Sequence, residues 1–185
     1  MWKKHPKALP FLFFSEMWER FGYYLMIGIF TLYLKDVKAG YAMTEAESAD
    51  LYGTFIALVF LTPFIGGLLA DRYLGYRKSI IIGGLMMGIG YCLMSVHNIA
   101  MLYLSMTLVI IGNGFFKPNI STLLGNVYTT PQYIKQKDDG YNIFYMGINI
   151  GAFICNFFGA ALYIVYGWGA AFIAAGVGMF IGVSI

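Results

Sequence analysis

The sequence predicts an all-α protein that crosses a membrane several times, and three observations support this fold class. Of its 185 residues, 59% are hydrophobic and 11% are charged, whereas soluble domains carry about 25% charged residues. The apolar residues form six runs, each close to the roughly 20 residues that span a bilayer. The charged residues fall mostly between these runs. The expected partner is therefore the lipid bilayer, and the net charge of +3 gives no reason to expect nucleic acid.

The six apolar runs predict six helices whose order sets the topology. We expect them at 10–34, 51–70, 79–96, 99–124, 141–163 and 168–185. Basic residues concentrate in the amino-terminal tail and in the second and fourth connections, whereas acids balance them in the first connection. These basic residues are Lys3, Lys4, Lys7, Arg72, Arg77, Lys78, Lys135 and Lys137. By the positive-inside rule, the amino terminus is cytoplasmic.

The last predicted helix ends at Ile185 with no flanking charge. We therefore expect this chain to be the amino-terminal bundle of a longer protein, and a carboxyl-terminal bundle to lie outside it. Six helices are half of a common transporter plan, in which bundles are built from repeats of three helices.

Four charged residues lie inside the predicted helices rather than between them: Glu16, Glu19, Arg20 and Lys117. A charge near the bilayer centre costs at least about 2.5–3.5 kcal/mol, so such groups face a wet cavity or pair with one another. They are therefore the first candidates for a functional site.

The positions of these charges predict a single site. Glu16, Glu19, Arg20 and Tyr23 have the spacing i, i+3, i+4, i+7, which places them on one helix face. At about 1.5 Å per residue, Glu19 lies about 18 Å from the cytoplasmic start of its helix. Lys117 lies about 16 Å from the cytoplasmic end of the fourth helix, at a similar depth.

The cluster has two interpretations. It could be a structural set of ion pairs that joins the first and fourth helices. Alternatively, it could couple proton movement to transport, because two nearby acids repel each other while Arg20 and Lys117 attract them. The proton occupancy of the acids would then depend on which groups pair.

Four stretches resemble the proton-dependent oligopeptide transporter (POT) family of the major facilitator superfamily. "EMWERFGYY" at 16–24 is similar to the family's ExxERFxYY signature in the first helix. "GGLLADRYLGYRK" at 66–78 resembles the superfamily's loop between helices two and three. "GNGFFKPNIS" at 112–121 and "FYMGIN" at 144–149 resemble segments of helices four and five. The matches occur in the family's order and spacing.

This resemblance implies the roles of particular residues. The proton-coupling set would be Glu16, Glu19, Arg20 and Lys117. The peptide site would comprise Arg20, Tyr23, Tyr24, Tyr52, Lys117 and Asn149. The cytoplasmic gate would comprise Asp71, Arg72 and Arg77. Two positions depart from common family patterns: Phe60 replaces a second tyrosine, which removes one substrate hydrogen bond, and Gly53 replaces the histidine of animal members.

The resemblance implies a proton-coupled symporter that carries di- and tripeptides into the cell by alternating access, in the inner membrane of a bacterium. The coupling ion would be the proton, with no other cofactor and no metal. One alternative keeps the fold but carries nitrate or a peptide-like drug, and another is a membrane receptor that transports nothing. We do not expect an enzyme, because no nucleophile–histidine pair or phosphate-binding loop is present in the sequence.

Two prolines interrupt predicted helices, Pro63 in the second and Pro118 beside Lys117 in the fourth. Each removes a helical hydrogen bond and kinks its helix. The kinks could flex during gating or could be static, and the sequence supports both interpretations equally.

Overall fold

The computed structural model describes residues 2–185, apart from the side chain of Lys3. Within this range, the α-helices run Ala8–Lys35 (α1), Glu45–Leu69 (α2), Tyr76–Met94 (α3), Ile99–Val127 (α4), Lys137–Tyr166 (α5) and Trp168–Ser184 (α6). All six predicted helices are present, and the all-α fold class is confirmed. Met1 and the Lys3 side chain, one of the charges used to predict the orientation, lie outside the described part.

Helix α2 begins at Glu45, earlier than the predicted start at Leu51. The hydroxyl oxygen of Thr44 accepts a hydrogen bond from the backbone N–H of Glu47 at 3.3 Å. In return, the Glu47 carboxylate accepts one from the backbone N–H of Thr44 at 2.9 Å. This capping box stabilises the helix start, and acids in a first turn also favour the helix dipole. The acidic residues that indicated a loop therefore begin the helix.

The helices pack into two partly separate groups. Helix α1 packs mainly against α5 and α6, whereas α4 packs against α2 and α3, and α3 also contacts α6. Backbones approach closely at glycines: a Cβ atom on Gly112 would lie 2.6 Å from the carbonyl oxygen of Gly83. Small residues allow such close packing of membrane helices. Helix α1 has few contacts with α2 or α4, so those surfaces are free to hold polar groups between them.

In the described range, four helical segments are long and apolar enough to span a membrane: Glu45–Leu74, Tyr76–Met94, Ile99–Val127 and Ile134–Tyr166. Helix α6 is apolar but has 17 residues. The apolar sequence of α1 is interrupted by its buried charges. Helices α2 and α5 are the least buried of the four, and both expose large apolar side chains. Lipid or another protein surface must therefore cover them.

Candidate functional site

Three charged side chains in the first half of α1 form a buried ion cluster. Relative exposure is 3% for Glu16, 0% for Glu19 and 5% for Arg20. The Nε atom of Arg20 lies 3.1 Å from Oε1 of Glu16 and donates a hydrogen bond to Oε2 of Glu19. The Arg20 guanidinium thus contacts both carboxylates, and the predicted clustering of these three residues is present in the structure.

The cluster leaves several of its polar atoms unused. Oε2 of Glu16, Oε1 of Glu19 and Nη2 of Arg20 have no hydrogen-bond partner within residues 2–185. Buried polar atoms without partners are costly. Each carboxylate therefore keeps an oxygen that could take a proton, and the arginine keeps a donor that could bind an anion.

Lys117 lies on α4 at the depth predicted for it. The ring of His5 hydrogen-bonds the hydroxyl of Tyr128 at 2.8 Å, so the chain just before α1 and the end of α4 lie at the same end of the bundle. Lys117 is half-buried. Among the described residues, no carboxylate forms an ion pair with it. Its Nζ atom instead lies 4.9 Å from the ring centroid of Phe60 on α2.

The predicted peptide-contacting residues differ in their placement. Tyr23 is buried beside the cluster, with its ring centroid 5.3 Å from Cζ of Arg20. Its ring packs edge-on against Tyr24, with centroids 5.6 Å apart. Tyr24 and Asn149 are exposed, and Tyr52 is half-buried. The structure therefore brings Tyr23 and Tyr24 together with the cluster, and it leaves the polar groups of Tyr24 and Asn149 open to a ligand.

Sequence reasoning missed Tyr91, on α3. Its side chain is fully buried, and its hydroxyl has no partner among the described residues. Its ring atom Cε2 would lie 3.3 Å from a Cβ atom on Gly22, so Tyr91 packs against α1 within one turn of the cluster. A lone tyrosine in an apolar run carries no sequence signal that separates it from a packing residue.

Asp71, Arg72 and Arg77 lie where α2 joins α3. The first two belong to a π-helical turn, Ala70–Leu74, and all three side chains are exposed. Gly75 follows with φ of 76°, a left-handed conformation that glycine adopts at little cost. The turn presents these charges at the end of the bundle where α1 begins. None of them forms an ion pair with another described residue.

In the described part of the chain, no group of three His, Cys, Asp or Glu residues could hold a metal ion.

Comparison with known proteins identifies the family. The model of the Major Facilitator Superfamily matches residues 13–185. Dipeptide and tripeptide permease A of Yersinia pestis is 40% identical over 180 residues, which are 96% of this chain and 35% of that protein. The homologous permease of Escherichia coli (strain K12) is 39% identical over the same length. The chain thus spans about a third of the length of these relatives.

Solved structures agree with the sequence comparison. The crystal structure of a peptide transporter POT in complex with sulfate has a TM-score of 0.93 and 36% identity, and the match covers 100% of this chain and 38% of that one. A POT family transporter in complex with a thioalcohol conjugated peptide has a TM-score of 0.93 and 31% identity, and the match covers 99% of this chain and 38% of that one.

A helical membrane bundle with this sequence match defines the class: the chain belongs to the Major Facilitator Superfamily. It is therefore an integral membrane protein. The more specific resemblance to the POT family is also confirmed, since peptide transporters of that family match nearly the whole chain in sequence and in fold.

Proposed function

We propose that the complete protein is a proton-coupled symporter that moves di- and tripeptides into a bacterial cell by alternating access. This chain would be its amino-terminal bundle, with the amino terminus in the cytoplasm. A second six-helix bundle would face it across a central site. The short span relative to the permeases and the exposed apolar surfaces of α2 and α5 support such a facing bundle.

The observation that carries this proposal is the buried cluster of Glu16, Glu19 and Arg20 beside Lys117, which forms no ion pair with any residue that the structure describes. A peptide brings a carboxylate, for which Arg and Lys are the matching side chains. It also brings backbone amides, which tyrosine hydroxyls and asparagine amides can hydrogen-bond. In this proposal Arg20 and Lys117 bind the carboxylate, while Tyr23, Tyr24, Tyr52 and Asn149 bind the backbone.

Charge balance links the carboxylate to a proton. With every group ionised, two glutamates, one arginine and one lysine sum to zero charge. A substrate carboxylate adds one negative charge in a site where unbalanced charge is costly. Protonation of one glutamate restores neutrality, and each glutamate has an unpartnered oxygen that could carry the proton. A peptide carboxylate would therefore enter together with a proton.

The gating role of the α2–α3 junction is part of the same proposal. Asp71, Arg72 and Arg77 are exposed at one end of the bundle, where they could pair with charges on the facing bundle when the cytoplasmic side closes. Opening would break these pairs, which costs little because exposed ion pairs are weak.

The test is uptake of labelled dialanine into liposomes that contain the complete protein, with and without an inward proton gradient. We expect uptake to require the gradient. Glu19→Gln should abolish gradient-driven uptake but retain peptide counterflow, because it removes a proton carrier and keeps the side-chain shape. Lys117→Ala should reduce both, because it removes a binding charge.

The matched control is Glu45→Gln, which makes the same change at an exposed carboxylate paired with Lys35 at 3.2 Å. It should transport as the wild type does. Absence of peptide uptake by the wild type under any gradient would refute the proposal in favour of another cargo or a receptor. If Glu19→Gln still shows gradient-driven uptake, the structural interpretation of the ion cluster is favoured over proton coupling.

A further inference from the structure

The ammonium group of Lys117 faces an aromatic ring rather than an acid. Its Nζ atom lies 4.9 Å from the centroid of Phe60, whose side chain is 65% exposed. A cation at this distance from a ring is attracted by the negative face of the π system. Phe60 therefore supplies a favourable contact for this ammonium group.

A competing attraction comes from α1. Oε2 of Glu16 and Oε1 of Glu19 have no hydrogen-bond partner among the described residues, and Arg20 alone balances only one of the two carboxylates. An ammonium group on a flexible four-carbon stem would pair with such oxygens unless another contact offset that attraction. The ring of Phe60 lies on α2, so the contact that it offers the ammonium group comes from a different helix from the acids.

The position of Phe60 is itself fixed by polar contacts between α2 and α4. Asn113, one helical turn before Lys117, donates a hydrogen bond to the carbonyl oxygen of Val59 at 2.9 Å. On the other side of Phe60, the hydroxyl of Thr62 donates one to the carbonyl oxygen of Ile110 at 2.9 Å. The α2 backbone on both sides of Phe60 is therefore held in a set register against α4.

We propose that Phe60 is a positioning and specificity-determining residue that keeps Lys117 unpaired and directed into the open side of the bundle, where it can bind a substrate carboxylate. This rests on the proposed peptide transport. The ring would act on the carboxyl end of the substrate alone, so it would favour peptides with a free carboxylate over peptides whose carboxyl end is an amide.

The test compares three variants of the complete protein in liposomes, using KM for dialanine and the inhibition constant of alanyl-alaninamide. Phe60→Leu should raise KM for dialanine about two- to tenfold, the range expected for loss of a partly exposed cation–π contact. The inhibition constant of the amide should stay within about twofold, because the amide has no carboxylate to pair with Lys117. Phe60→Tyr keeps the ring face and should resemble the wild type.

Phe64→Leu is the matched control, since Phe64 lies one turn further along α2 and is 72% exposed. It should leave both constants unchanged. Equal effects of Phe60→Leu and Phe64→Leu, or equal effects of Phe60→Leu on dialanine and on its amide, would overturn the inference while leaving peptide transport intact.

A second readout does not depend on transport. Acetic anhydride acetylates lysine amines, and mass spectrometry measures the modified fraction of Lys117. Phe60→Leu should lower this fraction relative to Phe64→Leu, because an ammonium group paired with Glu16 or Glu19 is less reactive. An unchanged fraction would show that the ring does not hold Lys117 away from the acids. If the wild type transports no peptide, this measurement still decides the role of the ring.

Discussion

Asn113 satisfies a carbonyl group that a proline leaves free, and this predicts a measurable coupling between two helices. Pro63 has no N–H group, so the carbonyl of Val59, four residues earlier, loses its helical partner. The side chain of Asn113, 1% exposed, donates to that carbonyl at 2.9 Å. Asn113→Ala should leave a buried carbonyl unsatisfied, which costs about 1–3 kcal/mol.

A double-mutant cycle isolates the coupling free energy between Asn113 and Pro63. In a Pro63→Ala background, residue 63 regains an N–H group that can bond the Val59 carbonyl within the helix. Asn113→Ala then costs only its lost packing, which is the same in both backgrounds and cancels. We expect a coupling free energy of about 1–2 kcal/mol, between the typical worth of an interhelical hydrogen bond in membranes and the full penalty of an unsatisfied group.

The assay is reversible unfolding of the complete protein in mixed micelles titrated with sodium dodecyl sulfate. Asn119 provides the matched control, because it lies on the same helix with 0% exposure and donates to carbonyls that Pro63 does not free, that of Phe115 at 2.7 Å and that of Gly66 at 3.5 Å. Asn119→Ala and Pro63→Ala should be additive. If Asn113→Ala costs the same with proline or alanine at position 63, then the Val59 carbonyl is not its partner and the reasoning fails.

Two further predictions concern other parts of the fold. Hydrogen bonds hold the pKa of Asp36 below its ordinary value of 3.8; the largest contribution comes from the backbone N–H of Lys38 and the next from the indole of Trp168. The stability that these bonds supply is complete above pH 3.8 and is lost as the pH falls through the pKa of the folded state. Asp36→Ala should therefore lower the melting temperature at pH 7, with a difference that narrows below pH 3.8, and an equal difference at both pH values would contradict this. On α5, a Cβ atom on Gly151 would overlap the carbonyl oxygen of Met17. Gly151→Ala should therefore lower the free energy of unfolding by about 1–3 kcal/mol in the same micelle assay, and it should reduce peptide uptake although no charge changes. Gly159→Ala, where the nearest atom would lie 3.8 Å from the new Cβ, should leave stability and uptake unchanged. If Gly159→Ala lowers stability as much as Gly151→Ala does, steric overlap is not the cause.

The α1 cluster was predictable from the sequence because it depends on local geometry. Glu16, Glu19 and Arg20 share a face in any helix through these positions, and Arg20 can reach an acid one turn away whatever surrounds it. The sequence left open whether these charges face a wet cavity or pair with one another, and the structure shows the pairing. The start of α2 was harder, because Glu45 and Glu47 stabilise a helix end as readily as they solvate a loop.

Contacts between helices were not predictable in the same way. The spacing of charges placed Lys117 at the right depth, but its neighbour depends on how α2 lies against α4. An acid on α1 was the expected partner on electrostatic grounds, and the structure instead places Phe60 against the ammonium group. The buried hydroxyl of Tyr91 likewise acquires its position through tertiary packing alone.

The two prolines also show how contacts between helices determine the surroundings of a kink. Pro63 and Pro118 each free a carbonyl, and the sequence alone left open whether the kinks flex. Asn113 satisfies the first carbonyl. The second, that of Gly114, lies so close to Gly66 of α2 that a Cβ atom there would overlap it. Both interruptions therefore face the seam between α2 and α4.

Flexing at either kink would separate the pair of groups that meets there. At the Pro63 kink, the Val59 carbonyl would then lose Asn113 with no water in lipid to replace it, and an unsatisfied backbone group there costs several kcal/mol. Contacts at both kinks therefore tie α2 to α4. Helix α1 has few contacts with either of them, so the boundary between α1 and the α2–α4 pair, which carries the ion cluster on one side and Lys117 on the other, is less closely packed than the contact between α2 and α4.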